Sequence, residues 1–289
     1  MNYEIKNEHI KAKIKSFGAE LNSLQKIDEN LEYIWQGDSK YWNRHSPILF
    51  PIVGRLKNDS YTYQNQKYNM TQHGFARDKE FEVIKNEADF MEFRLKSDEK
   101  TLEIYPFSFE LYLSYKLEKN SLIVSYKVIN KSDDKMLFSI GAHPAFNWTL
   151  KEDEKKENYF LEFENIKETK RYFLNDKGLV YDSVDLKIID NKIALNEELF
   201  KNDALVFEDL NIKTLTLKNS INENYIKLNF ENFPYLGIWS KPTGAPFICI
   251  EPWFGVADSF DSSKNLEDKK GIITLLKDEI FSSFYSIEI

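Results

Sequence analysis

Ala245-Pro246-Phe247-Ile248-Cys249-Ile250-Glu251-Pro252-Trp253-Phe254-Gly255 is the stretch that decides how this chain is read. Its apolar run, Ala245 to Ile250, predicts a strand buried on both faces, which Glu251 closes. A carboxylate is costly to bury without a partner. One that ends such a strand beside aromatic residues is a candidate general base with a tuned pKa. Its ordinary alternative is a strand-end Glu satisfied by local backbone N–H groups.

Outward from that run, strand patterns dominate. Tyr3–Ile5 and Ile10–Ile14 alternate apolar with polar residues. Ser60–Gln64 and Lys67–Thr71, flanking Asn65-Gln66, read as a hairpin. Phe81–Ile84, Phe90–Leu95, Phe109–Leu117, Leu122–Asn130 and Met136–Ile140 continue the pattern. So do Tyr159–Phe163, Thr214–Leu217, Tyr225–Phe230, Leu236–Ser240 and Tyr285–Ile289. Helical signals are few: Asn196–Asp203 predicts one short helix capped by Asn196. The charged run Lys151–Asn158 predicts an exposed loop. Many closely spaced strands and no linker predict one all-β domain over residues 1–289, a large antiparallel sandwich or barrel. A concave face of such a sheet suits a ligand.

Composition narrows the function. The chain has 289 residues, 42% hydrophobic and 15% aromatic, enough for a sizeable core rich in strand formers. Net charge is −8, and no Lys/Arg block marks a nucleic-acid face. No stretch has the length of a membrane span, and the first residues lack the apolar segment of a signal peptide. The single cysteine, Cys249, excludes an internal disulfide and fits a cytoplasmic protein; inside its apolar run it reads as structural. No Cys/His spacing marks a metal site, and no cofactor motif occurs.

Four histidines occur. His9 lies in an early alternating strand and reads as structural or surface. His45, before Ser46-Pro47, is a weaker pocket candidate. His73 sits in Gln72-His73-Gly74-Phe75-Ala76-Arg77, directly after the hairpin, where Gly74 permits a sharp turn. His143 sits in Gly141-Ala142-His143-Pro144-Ala145-Phe146, after an apolar strand. Each also has an ordinary reading, as a turn or core histidine bonded to backbone. Two histidines and a carboxylate, each ending an apolar strand, form a plausible acid/base set.

At these residues the chain resembles the aldose 1-epimerase (mutarotase) family, and within it the LacX-like branch. The shared landmarks are Phe17-Gly18-Ala19-Glu20-Leu21-Asn22-Ser23-Leu24, Phe50-Pro51-Ile52-Val53-Gly54-Arg55-Leu56, Gln72–Arg77, Gly141–Phe146 and Glu251–Gly255. Five landmarks in order are specific for the family, less so for the substrate. The resemblance implies a β-supersandwich and a small sugar substrate, with no cofactor. It implies Glu251 as general base, His143 as general acid and His73 as a sugar contact that assists catalysis. It further implies Arg55 and Asp203 as substrate-binding residues. The segment around His143 departs from the Asn-His-x-Tyr-Phe pattern of galactose mutarotases, and the flanks of Asp203 also differ.

In such a reaction a base takes the proton from the anomeric O1 while an acid protonates the ring oxygen. The ring opens, C1 rotates and the ring closes on the other face. Trp253, Trp239 and Phe75 are candidates to pack on the apolar face of the sugar. Arg77, with Arg44, favours a rival reading, a hexose-6-phosphate mutarotase, because guanidinium forks suit phosphate. Arg77 paired with Asp78 or Glu80 on the surface is the alternative. A non-catalytic sugar-binding module is the second rival. The protein is expected to act as a monomer or homodimer.

Overall fold

A computed structural model of the chain describes every residue except 167, 209 and 211. The regular structure among the described residues is almost entirely antiparallel strands. Nine strands form one sheet in the order Lys192–Ala194, Tyr159–Phe163, Thr214–Asn219, Tyr225–Asn229, Ile280–Glu288, Ser121–Asn130, Phe109–Glu118, Phe90–Lys96, Glu82–Asn86. A second sheet runs Val180–Lys187, Glu168–Leu174, Leu205–Glu208, Tyr235–Trp239, Phe247–Phe254, Ile140–Ala142, Ile48–Leu49. Ala145–Asn147 also pairs with Phe247–Phe254. A three-stranded sheet holds the N-terminal residues Asn2 to Lys26. No helix among the described residues is long and apolar enough to cross a membrane.

The period of two along each strand explains the packing. In Phe109–Glu118 and Ser121–Asn130 every second residue is buried, while the intervening ones are half-buried or exposed. Their inner faces join Ile248 and Ile250 of the second sheet in one core. Ring pairs such as Phe163 with Phe207 and Phe254 with Phe281 cross between the two sheets. The other face of the central strand, carrying Cys249, Glu251 and Trp253, is therefore turned away from that core. It is buried too, in separate clusters around Trp35 and Trp253. This double burial is why the strand reads as an unbroken apolar run.

Several boundaries differ from expectation. The central strand spans Phe247–Phe254, so Glu251 lies inside it rather than at its end. Pro252 is accommodated because the strands on one flank are short: pairing to Ile140–Ala142 ends at Gly141↔Trp253 and to Ala145–Asn147 begins at Ala145↔Cys249. The hairpin turns at Gln64-Asn65, whose φ values of 48° and 63° fit a primed turn, one residue before the expected pair. The Met136–Ile140 strand is two pieces, Met136–Phe138 and Ile140–Ala142, pairing with different partners. The capped helix is a 3-10 turn, Glu197–Phe200, with Asn196 accepting from Leu199 N–H as expected. A short α-helix, Glu99–Ile104, was not anticipated; Asp98 and Thr101 form its capping box. His9 is exposed in a bend between two strands, not within one.

Candidate functional site

The gap between Ala142 and Ala145 builds the site. His143-Pro144 leaves the sheet between two short strands, and Pro144 C=O still accepts from Ile250 N–H at 3.2 Å. This places the His143 imidazole directly against the central strand, with Nε2 3.2 Å from Glu251 Oε2. Glu251 is 1% exposed, and its Oε2 accepts no hydrogen bond. The backbone-satisfied alternative is thus not what this oxygen adopts.

Glu251 stands in register with Gly237, and Gly237 with Val206. Across those strands, Gly237 is a matter of space. A Cβ there would come within 2.4 Å of the Trp253 indole, and one at Gly141 within 2.6 Å. The two glycines make a slot for that ring. Its Nε1–H donates to Ala142 C=O at 3.2 Å, which ties the indole to the segment carrying His143.

His73 reaches the same place from the hairpin side. Its backbone is in the left-handed region, φ 68°, a conformation uncommon for His. Gly74 follows at φ 71°, and a Cβ there would lie 2.3 Å from Phe50 C=O. No other residue fits that approach. His73 Nδ1 accepts from Gly54 N–H at 3.2 Å, so the ring proton resides on Nε2. The His73 and His143 rings meet edge-on, 5.5 Å between centroids.

These groups line a cavity of about 310 Å³ together with Asp203, Arg77, Gln72, Trp42, Trp239 and Trp253. That volume lies at the small end of ligand pockets, the size for one sugar ring rather than a chain. Apolar side chains such as Leu174, Val206 and Val256 complete the wall. Asp203, at φ 72°, lines the same cavity as Glu251, and its Oδ1 accepts from its neighbour Ala204 N–H at 2.8 Å.

Burial sets the electrostatics. It pushes the Glu251 carboxyl well above the usual range, and the Asp203 charge adds to this. Burial pushes His143 down to about 3, with Arg77 and Arg44 contributing. Both directions favour a pair that is neutral overall and holds one proton. His73 is also pushed well down, by burial first and then by His143 and the arginines, so it is a neutral donor.

Not every expected residue lines the cavity. Arg55 lies beside it: its Nη2 donates to Gln72 Oε1 at 3.3 Å, and Nη1 is 3.8 Å from Asp59. The reason is local, since Gly54 occupies the wall and the next side chain points to the neighbouring surface cleft with Asp59 and Lys177. Phe75 is a core residue, packed on Phe50, Tyr105 and Phe109. His45 is held at the backbone, its N–H donating to the buried Glu20 carboxylate at 2.7 Å. Arg44 is engaged with Asp78 at 2.8 Å. Arg77 does line the cavity; its Nη2 donates to Gln72 C=O at 2.6 Å, and Asp78 lies 3.8 Å from its Nε.

Trp42 and Gln72 carry no role in the sequence reading. Trp42 stacks on the His143 imidazole, 4.8 Å between centroids and 28° between planes, and meets Trp239 edge-on. A Trp within an otherwise polar turn, Asp38 to His45, was its one signal. Gln72 adjoins His73 in the quoted motif, but alternation along a strand does not predict the facing of a turn residue.

The family model of aldose 1-epimerase matches residues 1–263. The plasmid-borne protein LacX of Lactococcus lactis subsp. lactis is 34% identical over 298 residues, covering 100% of this chain and 99% of that one. A galactose mutarotase related enzyme from Lactobacillus acidophilus superposes with TM-score 0.96 at 37% identity, covering 100% of this chain and 97% of that one. A galactose mutarotase-like protein from Lactobacillus casei ATCC 334 gives 0.93 at 33% identity, covering 100% and 99%. The chain belongs to the aldose 1-epimerase family, and its fold is the antiparallel β-supersandwich of galactose mutarotase-like proteins.

Proposed function

We propose that this member of the family interconverts the α and β anomers of a small free aldose. The observation that carries the reading is the buried Glu251–His143 pair, 3.2 Å apart, opening into a one-sugar cavity. Anomerisation requires a base on the O1 proton and an acid at the ring oxygen, with roles exchanged on closure. A neutral pair sharing one proton suits that exchange. Burial favours the proton resting on Glu251; the form that opens the ring carries it on His143, so that Glu251 takes the O1 proton while His143 delivers its own to the ring oxygen. The C1–O5 bond breaks as O1 becomes the aldehyde oxygen. The pair ends with its proton on Glu251, ready for the reverse transfer after C1 rotates. Each transfer is worth about 10²–10⁴-fold.

The neutral His73, with its proton on Nε2, donates a hydrogen bond to a sugar oxygen without competing as a base. Asp203 and Gln72 supply acceptors, and the Trp42, Trp239 and Trp253 rings supply an apolar surface for the C–H face of a pyranose. Arg55 acts through Gln72 in this reading rather than on the sugar.

A phosphorylated substrate is the second reading, favoured by Arg77 in the cavity wall. Against it, Arg44 is engaged with Asp78, and the −8 net charge gives a dianion no general steering. Polarimetric or NMR anomerisation assays on free and 6-phosphorylated hexoses test both. Absence of acceleration above the buffer-catalysed rate on every sugar tried would leave the non-catalytic binding module standing. A preference above about a hundredfold for the phosphorylated sugar, about 2.7 kcal/mol, would transfer the chemistry to the second reading.

A further inference from the structure

Cys249 and Glu251 are two apart on one strand and so share a face. His143 joins them from the gap between the neighbouring strands. The donor atoms of these three buried side chains, a thiol sulfur, an imidazole nitrogen and a carboxylate oxygen, lie within 4.8 Å of one another. Two further facts point to a ligand. Glu251 Oε2 is buried without a hydrogen bond, and so is His143 Nδ1, which leaves the tautomer free to present Nε2 as a lone pair. The group also opens on the cavity through Glu251 and His143.

We propose that His143, Cys249 and Glu251 form a binding site for a borderline-soft divalent cation of the zinc or cadmium type, and that occupancy blocks sugar turnover. The donor set decides the metal class. Thiolate with imidazole selects zinc-like ions over magnesium or calcium, which prefer all-oxygen shells. Zinc bonds of about 2.3 Å to sulfur and about 2.0–2.2 Å to nitrogen and oxygen place tetrahedral donors roughly 3.5 Å apart. Side-chain movement of about an ångström closes a 4.8 Å group to that spacing. Three protein donors leave the fourth position to water, on the cavity side.

Charge balance favours occupancy. The cation displaces the thiol proton and the single proton of the Glu251–His143 pair, and both leave to solvent. One dication with one thiolate and one carboxylate is neutral, the least costly state for a buried site. The occupied site withholds the lone pair of His143 and the carboxylate of Glu251 from the sugar, so inhibition follows from the same atoms that would do the chemistry.

The test is a cadmium titration of chelator-treated protein, read by the ultraviolet thiolate-to-cadmium charge-transfer band. Cys249 is the only cysteine, so the band reports this site alone. The expected result is saturation at one cadmium per chain, with affinity at least tenfold weaker in Glu251→Gln. Absence of a saturable band, or undiminished affinity in Glu251→Gln, would overturn the proposal. The reading needs no sugar, so it stands or falls independently of the anomerase assignment. In turnover assays, zinc should inhibit the wild type reversibly with respect to chelator, whereas Cys249→Ala should turn over normally and lose that sensitivity at least tenfold. Equal zinc sensitivity in a folded Cys249→Ala protein would place the inhibitory cation elsewhere.

Discussion

His143 Nε2 lies 3.2 Å from Glu251 Oε2, and the two side chains meet because the sheet is interrupted opposite Glu251. The interruption matters as much as the residues. A continuous strand from Ile140 to Asn147 would carry His143 in regular pairing, with its direction set by the pleat. The break frees His143-Pro144 to bring the imidazole alongside the carboxylate, where Trp42 stacks on its outer face.

Glu251→Gln should abolish anomerisation, lowering kcat by about 10² or more, while the fold persists. A nearly isosteric amide cannot accept the proton. Retention of more than a tenth of wild-type kcat in a polarimetric assay would contradict the base assignment.

The same variant should be more heat-stable than wild type at neutral pH. Burial raises the Glu251 pKa in the folded state above the ordinary 4.5. Its contribution to stability is therefore complete below about pH 4.5 and is lost as pH rises through the folded pKa. Gln carries no such loss. A gain of about 1 kcal/mol would raise Tm by roughly 2 °C for a chain of this length, growing from pH 4.5 upward. Scanning calorimetry at several pH values reads this directly; a lower Tm at pH 7 would show that the carboxylate is better solvated than its burial implies.

In metal-free buffer, kcat/KM should be bell-shaped in pH, because only the singly protonated pair is competent. His143 is pushed below the ordinary 6.5 and Glu251 above the ordinary 4.5. The acid limb should therefore fall below pH 6.5, and the alkaline limb should reflect loss of the pair's last proton. Trp42→Leu should move one of those limbs, since the π face no longer covers the imidazole. Unchanged limbs with only a raised KM would make Trp42 a sugar contact alone.

Lys269→Met should destabilise the protein by about 3–5 kcal/mol, because it strands a buried charge. Lys269 Nζ is 3.1 Å from Asp258 Oδ1 and also donates to Val256 C=O, while Asp258 Oδ2 accepts from Lys57 N–H. This pair anchors the segment that carries Val256 and Ala257 into the cavity wall. Adding Asp258→Asn should recover part of the loss. Denaturant unfolding of the single and double variants checks it; an equal loss in both would mean that the pairing contributes nothing.

Gly237→Ala should cost about 1–3 kcal/mol by overpacking and lower activity with it. The added methyl meets the Trp253 indole at 2.4 Å, and that indole is bonded to Ala142, next to His143. Wild-type stability and turnover in this variant would show that the slot has slack.

Much of the fold was legible in the residues. Strands with one face in the core, such as Phe109–Glu118, announce themselves by alternation, and the doubly buried central strand by its apolar run. Glu168–Leu174 and Val180–Lys187 were not recognised. Their residues are mostly half-buried or exposed, so charged side chains mask the period. The ends of elements were the other weak point, because the partner strand, not the strand itself, decides where pairing stops.

The candidate site divides along the same line. Glu251, His143 and His73, which line one cavity, stand out as candidates because each breaks a local rule: an acid in an apolar run, and histidines set between small or turn-forming residues. The sequence alone determined the all-β class, the family and these three chemical groups, since propensity, alternation and motif are properties of neighbouring residues. The tertiary structure alone decided that Trp42 covers His143, that Arg55 stands outside the cavity, and that Cys249 joins His143 and Glu251. Those outcomes depend on which strands pair and where a sheet breaks. Such contacts arise between residues as far apart in the chain as Trp42 and His143, and only chain folding brings their rings to 4.8 Å between centroids.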